Sequence, residues 1–206
     1  MADPIGLPAA GKSVVRTFLL VLLCAFGALA QPVRVEPRLF VKQGHFFTSF
    51  GGAWLERGDY WLNPGLSFSA AYYPTESGGA EARVLWFFPS LSGSAQQVGA
   101  ATGFVPDARK PEALLLAGWR QSLTYGKVVL AGEAVHFDLQ GALHGGGLFT
   151  DRGLAPAVNA SAGILARLNR WVFLQLDLGL LLSFEQRQRS GASLGLLPLF
   201  SAGAEL

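Results

Sequence analysis

From residue 45 to the last residue, apolar and polar positions alternate one by one in successive segments, interrupted by polar or glycine-rich breaks. The sharpest segment is residues 171–184, WVFLQLDLGLLLSF. Val172, Leu174, Leu176, Leu178, Leu180, Leu182 and Phe184 share one side, against Trp171, Phe173, Gln175, Asp177, Gly179, Leu181 and Ser183 on the other. A helix would scatter Gln175 and Asp177 around its circumference, whereas a strand puts both on one face. The pattern therefore predicts a strand with a hydrocarbon face and a polar face. Transmembrane β-barrels are built from such strands, each needing about 9–11 residues to cross.

Seven companion segments carry the same alternation. Residues 45–54 set Phe46, Thr48, Phe50, Gly52 and Trp54 against His45, Ser49, Gly51 and Ala53, and residues 56–59 (ERGD) end the run. Residues 65–73 alternate Leu66, Phe68, Ala70 and Tyr72 with Ser67, Ser69, Ala71 and Tyr73, before the turn composition PTESGG. Residues 80–88 place Ala82, Val84, Trp86 and Phe88 opposite Glu81 and Arg83. Residues 89–111 show no alternation and read as a long outer loop. Residues 114–125 resume with Leu115, Ala117, Trp119, Gln121, Leu123 and Tyr125 opposite Arg120, Ser122 and Thr124, and with leucine at both 114 and 116. Residues 134–144 set Val135, Phe137, Leu139, Gly141 and Leu143 against His136, Asp138, Gln140 and His144, and GGGLFTDRG reads as a turn. Residues 157–168 alternate Val158, Ala160, Ala162, Ile164, Ala166 and Leu168 with Asn159, Ser161, Gly163, Leu165 and Arg167. After the charged loop 185–191, residues 192–206 align Leu194, Leu196, Phe200, Ala202, Ala204 and Leu206, with Pro198 tolerable only where a ladder is broken. The expectation is an all-β, eight-stranded antiparallel up-and-down transmembrane barrel over residues 45–206. Its closure removes the sheet edges, and aromatics near strand ends (Trp54, Tyr60, Trp61, Trp86, Trp119, Trp171, Phe184) supply interfacial girdles.

Composition agrees with that picture. Half of the 206 residues are apolar and 15% are charged, yet no run reaches the ~18 uncharged apolar residues of a spanning helix. A net charge of +2 without a basic run gives no reason to expect a nucleic-acid partner. Residues 1–30 read as a cleavable signal peptide: Lys12 and Arg16 precede an apolar core at 17–26, and Ala28, Leu29 and Ala30 form a small-residue cleavage site. The only cysteine, Cys24, lies inside that core behind Leu22 and Leu23, which does not fit a lipidation site. Cleavage leaves a chain without cysteine, hence without disulfides or thiol chemistry. Residues 31–44 form a periplasmic lead-in.

Tyr125, Gly126 and Lys127, then His136, Phe137 and Asp138 with a glycine-rich exit, resemble recurrent pieces of the small outer-membrane β-barrel domain family of the myxobacterial type. The last residues, SAGAEL, resemble part of the C-terminal signal read by the outer-membrane insertion machinery, with Leu206 where the usual aromatic stands. The resemblance implies a location in the bacterial outer membrane, with outer-membrane lipid, the insertion machinery and envelope proteins as partners. It implies no assigned activity, although some members resemble barrels of gliding-motility and envelope-spanning complexes.

The inward positions collect Glu81, Arg83, Arg120, His136, Asp138, Gln140, His144, Arg167, Gln175, Asp177 and Glu205. Four acids face three arginines in a lumen just wide enough for side chains to fill, which predicts internal ion pairing over selective conduction. His136 and Asp138 share a face and suit a hydrolase base, with Ser122 or Ser161 as nucleophile, but no GxSxG motif accompanies them. His144 lies too far along its strand to join them on a metal. The glycines precede no helix and form no phosphate loop. The expectation is a non-enzymatic barrel without metal or cofactor, acting as a structural or docking component of the envelope. The alternatives are a lipid-modifying enzyme using His136 and Asp138, a narrow pore, and a soluble lipocalin-like barrel with its greasy face inside.

Overall fold

A computed structural model describes residues 41–103, 109–130, 133–185 and 191–206; residues 130, 133 and 134 are described by backbone alone. The expected signal peptide and residues 31–40 of the lead-in lie outside the described residues. The strands are β1 (Phe46–Leu55), β2 (Trp61–Tyr72), β3 (Gly78–Phe87), β4 (Ser90–Leu91), β5 (Pro111–Leu130), β6 (Glu133–Thr150), β7 (Gly153–Arg167), β8 (Val172–Ser183) and β9 (Ser193–Glu205), with a helix α1 (Gly93–Thr102) after β4. The long strands pair antiparallel in chain order, β3 passing directly to β5. β1 pairs with β2 on one side and β9 on the other, so the eight long strands close. Both chain ends of the barrel meet: Leu206 N–H donates to Phe46 at 2.8 Å and Gly44 N–H to Tyr73 at 2.8 Å. That terminal end also holds the β2–β3, β5–β6 and β7–β8 connections, and the distal end holds the others.

Burial follows the alternation where the ladders are regular. In β8 the inward Phe173, Gln175, Asp177, Gly179, Leu181 and Ser183 are buried. Val172, Leu176, Leu178 and Leu180 are exposed, while Leu174 and Leu182 are half-buried. The leucine row thus faces outward, the reverse of the lipocalin-like alternative. Short turns follow local chemistry: Asn169 Oδ1 accepts from the N–H groups of Trp171 and Val172, both at 2.8 Å, and reverses β7 into β8. Pro198 sits where the β1–β9 ladder breaks, between Ala53↔Leu199 and the isolated bridge Glu56↔Leu196. A residue without N–H removes no bond there.

Four expectations are corrected. First, β5 runs well beyond residues 114–125 and carries a bulge between Ser122 and Thr124. The extra residue leaves Leu123 and Thr124 both exposed and turns Tyr125, not Thr124, inward, because a bulge inverts the side alternation beyond it. Second, Gly145, Gly146 and Gly147 lie inside β6, and the turn is at Asp151 and Arg152. Third, the long segment after β3 is not wholly irregular. Ser92 caps α1 by accepting from Ala95 N–H at 3.3 Å, and Gly103 ends it with φ of 69°. Fourth, the lead-in does not stop outside the barrel: Lys42 is buried within it.

On the terminal side β5 loses β3 as a partner after Gln121 but keeps pairing with β6 to Leu130. The β5–β6 hairpin therefore projects past its neighbours, with Val128 and Val129 exposed.

Candidate functional site

Three layers fill the barrel. The middle one is ionic. Glu81 and Arg83 from β3, Arg120 from β5 and Asp177 from β8 form a closed quartet: Arg120 Nε lies 2.7 Å from Glu81 Oε2 and Arg120 Nη2 2.8 Å from Asp177 Oδ2. Arg83 Nε donates to Glu81 Oε1 at 2.8 Å and its Nη2 pairs with Asp177. His144 Nε2 stands 3.0 Å from Glu81 Oε2, Gln175 donates to Asp177 at 2.7 Å, and Gln140 Oε1 accepts from Arg120 at 2.9 Å. Arg120 is 2% exposed, so each acid it meets removes a buried charge that water does not reach. Backbone makes room for this: a Cβ on Gly163 would fall 1.9 Å from Asp177 Oδ1.

Towards the terminal end lies a second ionic group. Lys42 Nζ pairs with Asp138 and meets Ser122, while Ser122 Oγ and Gln140 Nε2 donate to Asp138 Oδ2 at 2.8 and 2.9 Å. The fourth acid has its own cation: Arg167 pairs with Glu205, which also lies 3.1 Å from His45 Nδ1. The interior acids Glu81, Asp138, Asp177 and Glu205 are thus matched by Arg83, Arg120, Arg167 and Lys42. Lys42 is the cation that alternation within the strands left out, since it precedes β1.

The distal layer is apolar, while the terminal layer mixes aromatic rings with those two ion pairs: Lys42 Nζ lies 5.0 Å from the Tyr73 ring centroid and Arg167 Cζ 5.1 Å from that of Phe47. Leu55, Leu85, Phe87, Leu114, Leu116, Leu148, Leu181 and Leu197 form a buried cluster at the distal end. Phe47, Ala71, Tyr73, Leu165 and Phe173 form one at the terminal end. Gly203 admits the latter, as a Cβ there would meet the Phe173 ring at 2.3 Å. Between them, the space beside Arg83, Asp177 and the serines Ser49, Ser67, Ser69 and Ser201 is only about 10 Å³. The leucine pair at 114 and 116 was the sequence signal for the distal layer, which a uniformly polar lumen omits.

The His136–Asp138 pairing does not form. His136 Nδ1 meets the Tyr125 hydroxyl at 2.7 Å and stacks on that ring, with centroids 5.7 Å apart. Asp138 is taken by Lys42, Ser122 and Gln140, and His144 by Glu81. Ser122 therefore touches Asp138 and Lys42 but no histidine. Gln175 reaches Asp177 and not an arginine. Among the described residues no group of three or more His, Cys, Asp or Glu side chains is placed to hold a metal ion, and no helix is long and apolar enough to cross a membrane.

Neither a family model nor a curated protein matches the chain. Its fold is similar to solved transmembrane barrels. The outer membrane protein OprG from Pseudomonas aeruginosa aligns at 9% identity over 81% of this chain and 98% of that one, with a TM-score of 0.49. Ail, the attachment invasion locus protein of Yersinia pestis, aligns at 11% identity over 80% and 99%, with a TM-score of 0.42. A de novo designed transmembrane β-barrel aligns at 13% identity over 82% and 100%, with a TM-score of 0.43.

Proposed function

We propose that the protein is a barrel of the bacterial outer membrane, exported by the signal read in residues 1–30, which serves as a non-enzymatic scaffold or docking component of the envelope. The carrying observation is the outward surface. Exposed Phe50, Phe68, Leu176, Leu178 and Phe200 cover its waist, with Trp54, Tyr60, Trp86, Phe88 and Phe184 near the distal rim and Phe46, Tyr72, Trp119 and Trp171 near the terminal rim. Phe46 and Trp54 stand eight residues apart on β1, about 27 Å of strand. At a tilt of about 40° this spans a layer roughly 20 Å thick, close to the apolar band of outer-membrane barrels. In water such a surface would aggregate; in a bilayer, lipid solvates it.

The sealed interior favours a scaffold over a pore, and the separate engagement of His136 and Asp138 gives no base–nucleophile geometry for the enzyme reading. The exposed α1 at the distal end and the projecting β5–β6 hairpin at the terminal end are the surfaces for envelope partners, in a complex of the gliding or adhesion type that the myxobacterial resemblance implies. Cell fractionation and gel mobility test the placement. The protein is expected in the outer-membrane fraction and to migrate faster unheated than boiled; a soluble protein without a shift ends the reading. Turnover of lipid A or an ester that disappears in His136→Ala would replace the scaffold by the enzyme.

A further inference from the structure

We propose that the terminal mouth of the barrel is a binding site for a primary ammonium group, which the chain fills with its own Lys42. The walls come from the strands and the ligand from outside them. Asp138 and Gln140 stand on β6, Ser122 on β5, and Tyr73 follows β2. Lys42 Nζ pairs with Asp138, meets Ser122 Oγ and lies 5.0 Å from the centre of the Tyr73 ring. An ammonium is a compact point charge with three N–H donors and no acceptor, so a carboxylate, a hydroxyl oxygen and a ring face suit it together. Ser122 Oγ accepts from the ammonium while its own O–H donates to Asp138 Oδ2 at 2.8 Å.

Contacts that do not involve Lys42 hold these walls. Ser122 N–H donates to Ser77 O at 2.6 Å, and the β5 bulge begins at that serine. Gln140 donates to Asp138 Oδ2 at 2.9 Å and accepts from Arg120 at 2.9 Å. Tyr73 is buried and packs edge-on against Phe47, with ring centroids 5.1 Å apart. Asp138 Oδ1 is enclosed with no hydrogen-bond donor among the described residues, so the carboxylate has capacity for a further N–H. The segment that delivers Lys42 lies at the surface: Val41, Gln43, Gly44 and His45 are exposed. Glu76 in the β2–β3 turn accepts from the N–H groups of Lys42 at 3.2 Å and Gln43 at 3.0 Å. From that exposed segment Lys42 turns inward, and its stem marks the path from surface to carboxylate. It is a tethered ligand in a site built without it.

The test removes the stem and supplies the amine. In the mature chain refolded in neutral detergent, Lys42→Ala clears a space the shape of n-propylammonium, and urea titration follows the folding equilibrium. As n-propylammonium chloride is added, the variant's folding constant should rise, by about tenfold at ten times the amine's dissociation constant. n-Propanol, which has the shape without the charge, and sodium chloride at matched ionic strength should leave it unchanged. The wild-type protein should be indifferent to the amine, since the tether gives Lys42 the advantage over a free ligand. Lys42→Ala with Asp138→Leu should lose the response. A flat titration of Lys42→Ala, equal rescue by propanol, an equal response of the wild-type protein, or a response that survives Asp138→Leu overturns the site. If Lys42→Ala does not refold, Lys42→Cys makes the comparison, its thiol being unique in a chain that has lost Cys24 with residues 1–30. Alkylated in urea with an aminoethyl group it should refold and regain the wild-type urea midpoint, whereas the ethyl adduct should not. Equal behaviour of the two adducts overturns the site as well.

Discussion

Lys42 shows how much one side chain outside the regular strands sets the interior. Its ammonium is the only cation on Asp138 among the described residues, and Ser122 and Gln140 complete that carboxylate's partners. Lys42→Met would leave Asp138 charged and enclosed, at a cost of about 3–5 kcal/mol. Urea titration of the refolded barrel in detergent micelles measures it. Because the cost lies in the unpaired charge, Lys42→Met with Asp138→Leu should recover most of the loss, whereas equal losses in single and double variants would show that packing is what Lys42 provides. Arg120→Ala makes a harsher case, since it strips Glu81 and Asp177 of their shared cation and leaves only Arg83 between them. A similar 3–5 kcal/mol loss is expected in the same titration, and a loss under 1 kcal/mol would mean that the quartet is not held as drawn.

At the scale of the strand, period-two alternation was a sufficient guide wherever pairing was regular. In β8 it assigns every residue from Val172 to Ser183 to its observed face, because one side must suit hydrocarbon and the other a packed interior. Leu176→Arg should therefore impede assembly by about 2–4 kcal/mol near mid-bilayer, more than Gln175→Ala, read as the folded fraction in lipid vesicles. Equal tolerance of both would mean the faces are reversed. Alternation failed where the backbone departs from a regular ladder. The bulge near Ser122 adds a residue that no composition signal marks, so Tyr125 was placed outward although it meets His136 inside. Glycines that read as a turn are strand residues in β6, since three glycines supply no period to read. The helix α1 carries no alternation, and its only marks in the sequence are the bracketing Ser92 and Gly103. The residues of the charged site were legible from their faces, but their partners were not: a face says that Asp177 points inward and says nothing about which of several arginines crosses the lumen to it. Lys42 belongs to no strand, so no alternation marks it as inward.

For the whole molecule, the order of the layers along the axis decides what can pass. An ion entering from the distal end meets Leu55, Leu85, Leu114, Leu116, Leu148, Leu181 and Leu197, then the ionic quartet, then Phe47, Tyr73 and Phe173 interleaved with the Lys42–Asp138 and Arg167–Glu205 pairs. The leucine layer offers an ion no water, the quartet already occupies its own carboxylates and guanidinium groups, and the terminal layer packs rings against closed ion pairs, so three barriers of different chemistry lie in series. Barriers in series fail only together. The wild-type protein is thus expected to show no current steps above the bilayer baseline. Arg120→Ala should stay silent because the leucine layer is intact, and Leu114→Ser with Leu116→Ser should stay silent because the quartet and the aromatic layer remain. Planar-bilayer recording of all three proteins makes the comparison. Steps in the wild-type barrel would overturn the sealed interior, and steps in either variant alone would show that a single layer, not the stack, had been holding it shut.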